Sequence, residues 1–152
     1  MVKFTIVVPV FNEKENLSRL EVELMKFINS TKYKTKILIV DDGSNDGSKE
    51  IIKGLCKKNN FFEYVSFKTN HGLSSALKAG FDLCNSEYLG YIDADLQTSP
   101  NDFHNLLKYI GEYDLVTGYR AERKDSLIKK LTSLAANNIR NLFTNDGVND
   151  TG

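Results

Sequence analysis

Cysteine is scarce in this sequence, with two residues, Cys56 and Cys84, in 152 positions. Both fall within apolar helical patterns, so the sequence favours two separate buried thiols over a disulfide or a cysteine-ligated metal site. Reduced thiols are compatible with the cytoplasm. No signal peptide is visible either, because residues 1–3 lead directly into a predicted strand. We therefore expect a cytoplasmic protein.

The sequence also lacks long apolar stretches and an excess of charge of either sign. No apolar run approaches the roughly 20 residues that a membrane-spanning helix needs. Lys plus Arg and Asp plus Glu number 20 each, which gives a formal net charge of zero. This balance provides no global reason to expect a nucleic-acid partner or an anionic membrane. The Gly-x-Gly-x-x-Gly fingerprint of dinucleotide binding and the Gly-Lys-Ser/Thr phosphate loop are missing as well.

What the chain does have is the ordinary balance of a globular domain, with 41% apolar and 26% charged residues. Its length suits a single domain over residues 1–152. Runs of β-branched residues alternate with helical faces, which predicts an α/β, mostly parallel sheet with helices on both faces. The predicted strands are residues 4–10, 36–40, 62–68, 87–93 and 113–118.

Polar residues cluster where the predicted strands end. Ligands of doubly wound sheets bind beyond the carboxyl ends of the strands, so these clusters mark a site. Asp93 and Asp95 follow the fourth strand and would point the same way in extended backbone. Two neighbouring carboxylates suit a hard divalent cation such as Mg²⁺ or Mn²⁺, although Asp-x-Asp in a solvated turn is a common chance occurrence.

Three other clusters allow a structural as well as a functional interpretation. Residues 42–47 partly match a calcium loop, but Lys53 stands where the bidentate Glu should be, so we reject calcium and expect a turn that caps a helix. Asn12, with Glu15 three positions later, resembles a capping box. His71 and His104 fit polar surface or loop positions better than catalytic ones.

Basic residues dominate positions 120–140, where only Glu122 and Asp125 oppose them. For Arg140 we favour a solvated helix face. Arg120 differs because it directly follows a predicted strand on the ligand side, where a guanidinium can bind phosphate in a fork. The bases of this stretch are Arg120, Arg123, Lys124, Lys129, Lys130 and Arg140.

Four motifs in order complete the pattern. They are Ile6-Val-Val-Pro-Val-Phe-Asn-Glu13, Val40-Asp-Asp-Gly-Ser-Asn-Asp-Gly47, Asn70-x-Gly72 with Ala76 and Gly80, and Asp93-Ala-Asp-Leu-Gln97. Together they resemble the inverting family 2 glycosyltransferases of the GT-A fold. Asp93-Ala-Asp-Leu-Gln97 with Pro100, followed by Gly118-Tyr-Arg120, is similar to the polyprenyl-phosphate branch of that family, which includes dolichol-phosphate mannose synthase and its bacterial relatives.

The resemblance implies a role for each matching residue. It implies a nucleotide-sugar pocket, a divalent metal site (Mg²⁺ or Mn²⁺) at Asp95 and Gln97, and a catalytic set of Asp95, Arg120 and Asp150, with Asp150 as base or orienter. An acceptor phosphate would face Arg120, with Lys129, Lys130 and Ser133 as weaker candidates. The implied pocket residues are Pro9, Phe11, Glu13, Asp41, Asp42, Asn70, Gly72 and Asp93.

The resemblance also implies a reaction. A UDP- or GDP-sugar would donate its sugar to a polyprenyl phosphate, or alternatively to a glycan hydroxyl. Family catalytic domains run longer, and Gly152 lies just inside the last motif, so we expect a domain truncated at its C-terminal end. Membrane association, at the inner face, would then come through missing C-terminal parts. A nucleotidyltransferase and a non-catalytic nucleotide-binding module stay open as alternatives.

Overall fold

The computed structural model describes residues 3–118, and all structural statements below concern this part of the chain. The residues up to Val116 form one compact unit. Strands and helices alternate, and a short helix with a 3₁₀ turn at each end follows the last strand. The elements are β1 (Phe4–Val10), α1 (Leu17–Ser30), β2 (Thr35–Asp41), α2 (Ser48–Lys58), β3 (Phe62–Ser66), α3 (Leu73–Leu83), β4 (Tyr88–Tyr91), a 3₁₀ turn (Pro100–Asp102), α4 (Phe103–Leu106) and a second 3₁₀ turn (Leu107–Tyr109).

The four strands form one parallel sheet in the order β3-β2-β1-β4. Phe4 of β1 pairs with Thr35 of β2 on one side and with Tyr88 of β4 on the other. Because every strand runs in the same direction, the carboxyl ends of β1, β2 and β4 meet at one edge of the sheet. The predicted parallel α/β sheet is confirmed, and the first four predicted strands match observed ones to within two residues at each end.

The larger core lies on the face covered by α1, α2 and α4. Alternate residues of β1, from Phe4 to Val10, point to this face and pack with the buried stripe of α1. Burying one such side chain contributes about 1.5–3 kcal/mol. The stripe consists of Leu17, Leu20, Leu24, Phe27 and Ile28.

Aromatic packing fixes α4 beneath β4. Phe103 lies 5.3 Å from Phe4 and 5.8 Å from Phe27 between ring centroids. Gly90 in β4 leaves room for these rings, because a Cβ there would stand 2.8 Å from Phe103 and 2.9 Å from Phe4. This packing holds both ends of the loop between β4 and α4, which carries the acidic pair.

The opposite face of the sheet carries α3 alone among the described helices. Val7, Leu38 and Val40 pack there against Ala76. Gly80 allows the close approach, because a Cβ at this position would stand 2.4 Å from Cγ1 of Val7. Helices therefore cover both faces, as predicted.

Pro9 lies inside β1 rather than at its end, although proline cannot donate to a ladder. Pairing of β1 with β4 stops at Val7, whose carbonyl accepts the N–H of Ile92. Residue 9 faces the same side as residue 7, beyond the end of this ladder. The missing N–H of Pro9 therefore leaves no ladder bond unmade.

The predicted fifth strand is wrong. Residues 113–118 contain one isolated bridge, between Tyr113 and Ile110, and no strand. Leu115 is 81% exposed, so its side chain has no core to pack against. The β-branched and aromatic pattern was present, but strand formation depends on a neighbouring strand and a buried face, and the described residues supply neither here.

The predicted capping box at Asn12 and Glu15 is wrong, because α1 begins only at Leu17 and Asn12 has a left-handed backbone with φ of 57°. A capping box is present instead at the 3₁₀ turn before α4. There the Ser99 hydroxyl accepts the N–H of Asn101, and the Asp102 carboxylate accepts that of Ser99. No described helix has the length and apolarity of a membrane span.

The expectation of one catalytic domain over residues 1–152 stays a prediction, because residues 119–152 lie outside the described part.

Candidate functional site

A pocket opens at the carboxyl edge of the sheet, where the loops after β1, β2 and β4 meet the start of α3. Its volume is about 330 Å³. It brings together eight of the residues that the sequence pointed to, namely Pro9, Phe11, Glu13, Asp42, Asn70, Gly72, Asp93 and Asp95. Four further residues complete its lining, namely Val10, Leu73, Ala76 and Ala94.

Asp41 is the last residue of β2 and Asp42 follows it, and both hold neighbouring loops. Asp41 is fully buried; its Oδ1 accepts the N–H of Ser44 at 3.0 Å, and its Oδ2 accepts the hydroxyl of Ser66. Asp42 is 3% exposed and accepts the N–H groups of His71 and Gly72, both at 2.8 Å. Asp41 is therefore not part of the pocket lining and holds Ser44 and Ser66. Asp42 lines the pocket and connects the 70–72 loop to the end of β2.

The loop after β1 is held by side chains of the loop after β2. The N–H groups of Asn12, Glu13 and Lys14 each donate a hydrogen bond of 3.0 Å. Their acceptors are Ser44 Oγ, Ser48 Oγ and Asp46 Oδ2, in that order. A second, smaller cavity of about 250 Å³ is lined by residues 12–16 and Asp46.

Asp46 also serves the start of α2. Its Oδ1 accepts both the N–H and the hydroxyl of Ser48, at 2.9 and 2.6 Å. These hydrogen bonds, led by the one from the Ser48 hydroxyl, lower the pKa of Asp46 below its usual value. Gly47, with φ of 98°, occupies the N-cap position of α2, and no side chain caps the helix from that position. Asp46 instead accepts the N–H of Ser48 from the residue before the N-cap.

The acidic pair lies in a turn, not in extended backbone as expected. β4 ends at Tyr91, residues 94–95 form the turn, and Leu96 has a left-handed φ of 58°. Asp95 Oδ1 accepts the N–H of Gln97 at 3.0 Å, which fixes the orientation of its carboxylate. The turn nevertheless brings Asp93 and Asp95 to the same pocket.

The arrangement fits a divalent metal that is shared with a phosphate-containing ligand. No group of three His, Cys, Asp or Glu residues in the described part could enclose a metal by itself. Mg²⁺ commonly takes one or two carboxylates and completes its shell with phosphate oxygens and water. Asp95 and Asp93 could supply those carboxylates. Gln97 is exposed and touches Asp95 through its backbone, so its predicted role as a ligand stays a prediction.

The two histidines make structural contacts. His104 packs on Phe27 with 4.9 Å between ring centroids, and its Nε2 lies 2.9 Å from the Ser30 hydroxyl. His71 packs edge-on against Phe67 and lies 3.3 Å from the Thr69 hydroxyl. Cys56 and Cys84 are free thiols, half-buried rather than fully buried, and burial raises the pKa of each.

Five predicted residues fall outside the described part of the chain. They are the catalytic and acceptor-side residues Arg120, Lys129, Lys130, Ser133 and Asp150.

Sequence reasoning missed the residues that hold the pocket loops. Ser44 and Ser48 lie in a segment read only as a turn and helix start, and their partners lie more than 30 residues earlier. No local pattern specifies such distant partners. Leu73 at the start of α3 could have been found, since it follows a loop whose Asn70 and Gly72 were already assigned to the pocket.

Two solved structures show where this fold occurs. A mannosyltransferase from Pyrobaculum calidifontis in complex with GDP-Man and Mn²⁺ matches with a TM-score of 0.58 at 23% identity, over 72% of this chain and 32% of that one. TarS from S. aureus (residues 1–349), in complex with UDP-GlcNAc, matches with a TM-score of 0.62 at 19% identity, over 82% and 37%. The fold is therefore that of the GT-A glycosyltransferases.

The family follows from the sequence match. The model of glycosyl transferase family 2 covers residues 5–151. The chain belongs to glycosyl transferase family 2, which confirms the resemblance carried by the four motifs.

Two curated relatives match nearly the whole length of this chain. Undecaprenyl-phosphate 4-deoxy-4-formamido-L-arabinose transferase from Photorhabdus laumondii is 33% identical over 152 residues, which make up 99% of this chain and 47% of that protein. The transferase of the same name from Pectobacterium atrosepticum is 33% identical over 150 residues, or 97% and 46%. The chain thus spans about half the length of these relatives.

Proposed function

We propose that this protein transfers a sugar from a nucleoside-diphosphate sugar to a polyprenyl phosphate, with inversion at the anomeric carbon and with the help of Mg²⁺ or Mn²⁺. The observation that carries the proposal is the pocket at the carboxyl edge of the sheet, whose lining contains the Phe11 ring and the carboxylates of Asp93 and Asp95. Membership of glycosyl transferase family 2 and the names of the curated relatives support the donor and acceptor classes.

The nucleoside would bind between the loops after β1 and β2. Phe11 is 44% exposed and lines the pocket, so its ring is available to contact a base. Each oxygen of Asp42 accepts one backbone N–H and has a further lone pair for a base or ribose donor. Asn70 and Glu13 contribute polar atoms to the same lining.

The diphosphate would lie toward Asp93 and Asp95. A divalent metal held there would neutralise the charge that develops on the departing nucleoside diphosphate. Asp95 has a carboxylate oriented by the Gln97 N–H, so less freedom is lost when it binds a cation. Gln97 is proposed as the second metal ligand.

A lipid phosphate suits the acceptor role because it is already anionic near neutral pH and needs no strong base. A glycan hydroxyl would need a positioned base. Arg120 is proposed to hold the acceptor phosphate, with Lys129, Lys130 and Ser133 as further candidates for that role and Asp150 as base or orienter. The reaction would take place at the cytoplasmic face of the membrane.

Calorimetry tests the donor half. UDP and GDP are titrated into the protein with and without Mn²⁺, and one of them should bind in a metal-dependent way. Asp95→Asn should weaken that binding at least about tenfold, since a hydrogen bond or contact to a charged group contributes about 1.5–3 kcal/mol. Asp82→Asn on α3 removes the same charge from an exposed surface pair and should leave binding unchanged. Equal affinity for wild type and Asp95→Asn with Mn²⁺ present would refute the metal assignment.

A transfer assay on the full-length protein tests the acceptor half. Undecaprenyl phosphate and a saccharide acceptor are compared with the nucleotide sugar of the base found by calorimetry. Arg120→Ala should lower transfer to the lipid phosphate by about ten- to a hundredfold and leave donor hydrolysis little changed. Transfer to the saccharide but not to the lipid phosphate would overturn the acceptor proposal and leave the glycosyltransferase proposal standing.

A further inference from the structure

The loop that carries Phe11 and Glu13 is held in part by hydrogen bonds from another segment of the chain. It lies between the end of β1 at Val10 and the start of α1 at Leu17. Asn12 adopts a left-handed backbone with φ of 57°, a conformation that asparagine tolerates better than most other non-glycine residues. Hydrogen bonds from outside the loop hold this arrangement as well.

Those bonds come from the segment between β2 and α2. Three consecutive N–H groups, of residues 12–14, donate to three side chains of residues 44–48. The bonding is reciprocal, because Oδ1 of Asn12 accepts the N–H of Asn45 at 2.9 Å. The two segments thus form one cross-linked unit on the wall of the pocket.

Asp46 connects this unit to the helix behind it. Its Oδ1 accepts the N–H and hydroxyl of Ser48 in the first turn of α2, whereas its Oδ2 accepts the N–H of Lys14. The Ser48 side chain is fully buried, and its Oγ also accepts the N–H of Glu13. Its position is therefore fixed. The two oxygens of one carboxylate therefore anchor the pocket loop to a rigid helix.

We propose that Asp46 is a positioning residue for nucleotide binding: its carboxylate holds the 11–14 loop in the conformation that presents Phe11 and Glu13 to the ligand. Asp46 does not line the 330 Å³ pocket, so it acts through the loop and not by contact. This inference depends on the proposed function, since it names a requirement of the nucleotide-binding site described there.

Asp46→Asn distinguishes the hydrogen bond that Asp46 accepts from Lys14 from the two that it accepts from Ser48. The amide oxygen can still accept both donors of Ser48, but the amide NH₂ then faces the N–H of Lys14, and two donors cannot bond. Amide hydrogen exchange measured by NMR should show faster exchange at Lys14 and unchanged exchange at Ser48. Affinity for the nucleoside diphosphate identified by calorimetry with Mn²⁺ should fall about tenfold, the equivalent of about 1.4 kcal/mol.

Two further variants accompany Asp46→Asn, one as a control and one as a second test of the bonds between the two segments. Asp82→Asn on α3 is the charge-matched control and should change neither Lys14 exchange nor affinity. Ser44→Ala removes the acceptor of the Asn12 N–H from a half-exposed side chain, so it tests the same cross-link if Asp46→Asn does not fold. Ser44→Ala should speed amide exchange at Asn12 and, like Asp46→Asn, lower the affinity for the nucleoside diphosphate.

The outcomes separate this inference from the proposed function. Faster Lys14 exchange together with weaker binding supports it. Faster exchange at Lys14 with wild-type affinity overturns the positioning role while the proposed function survives. Unchanged Lys14 exchange in Asp46→Asn also overturns it, because the bond then does not hold the loop. If the wild-type protein binds neither UDP nor GDP with Mn²⁺, the proposed donor site fails and this inference fails with it.

Discussion

Oδ2 of Asp42 accepts the backbone N–H of Gly72 at 2.8 Å, and this bond joins the end of β2 to the loop that begins α3. Oδ1 of the same carboxylate accepts the N–H of His71, so Asp42 holds two consecutive amides across 29 and 30 positions of sequence. A carboxylate in this position organises one wall of the pocket before any ligand is present. Asp42 therefore has a structural role in the pocket that is independent of any contact with a nucleobase.

Asp42→Ala should destabilise the fold more than Asp42→Asn. Alanine leaves two N–H groups without a partner, whereas asparagine keeps one acceptor. Each lost hydrogen bond to this charged group contributes about 1.5–3 kcal/mol. We therefore expect free energies of unfolding in the order wild type, Asp42→Asn, Asp42→Ala, measured by urea denaturation.

The control for this series is Asp82→Asn, whose carboxylate pairs with Lys78 on the surface of α3. Exposed pairs of this kind contribute about 0–1 kcal/mol. If Asp42→Ala were no less stable than Asp82→Asn, the two backbone bonds would not be holding the loop.

Gly80→Ala should cost about 1–3 kcal/mol through overpacking, because the new Cβ would stand 2.4 Å from Val7 in the centre of the sheet. Gly54→Ala on α2 is a matched control, because no atom lies within 4 Å of the position of its Cβ. In a helix this exchange stabilises by about 0.5–1 kcal/mol. Thermal denaturation should shift the two melting temperatures in opposite directions, and a shift in the same direction would contradict the close α3 packing.

The thiols of Cys56 and Cys84 should be alkylated at a higher pH than ordinary thiols. Burial raises both pKa values, and the negative charge of Glu63 adds to the rise at Cys56. A raised pKa keeps the thiol protonated, so the rate of reaction with iodoacetamide should climb only at a pH above the range of the unfolded chain. Mass spectrometry of a pH series measures both sites.

The same chain in urea supplies the reference for that series, because its thiols have ordinary pKa values. Glu63→Gln should move the Cys56 midpoint toward lower pH. Midpoints that coincide in the folded and unfolded chains would show that burial does not perturb these thiols. Comparing midpoints rather than rates removes the steric effect of folding on access.

The sequence by itself determined the order of the elements as far as β4 and the edge of the sheet at which the site lies. β-Branched runs specify strands and the intervening apolar stripes specify helices, because both patterns follow from local geometry and burial. The parallel arrangement then puts the polar clusters that follow the strands at one edge, and the family resemblance implied that Pro9, Phe11, Asp42 and Asp95 belong to the ligand site there. The family resemblance rested on the same residues.

Tertiary structure decided which polar residues line the pocket and which ones hold it. Asp41 and Asp42 are adjacent in sequence, yet one is buried beneath the site and the other faces it, since successive side chains of extended backbone point to opposite sides. Asp46 and Ser48 bind a loop more than 30 residues away, a relationship that no local pattern records. Leu115 had a strand-like sequence but is exposed without a neighbouring strand, because strand formation requires partners that only the assembled sheet can provide.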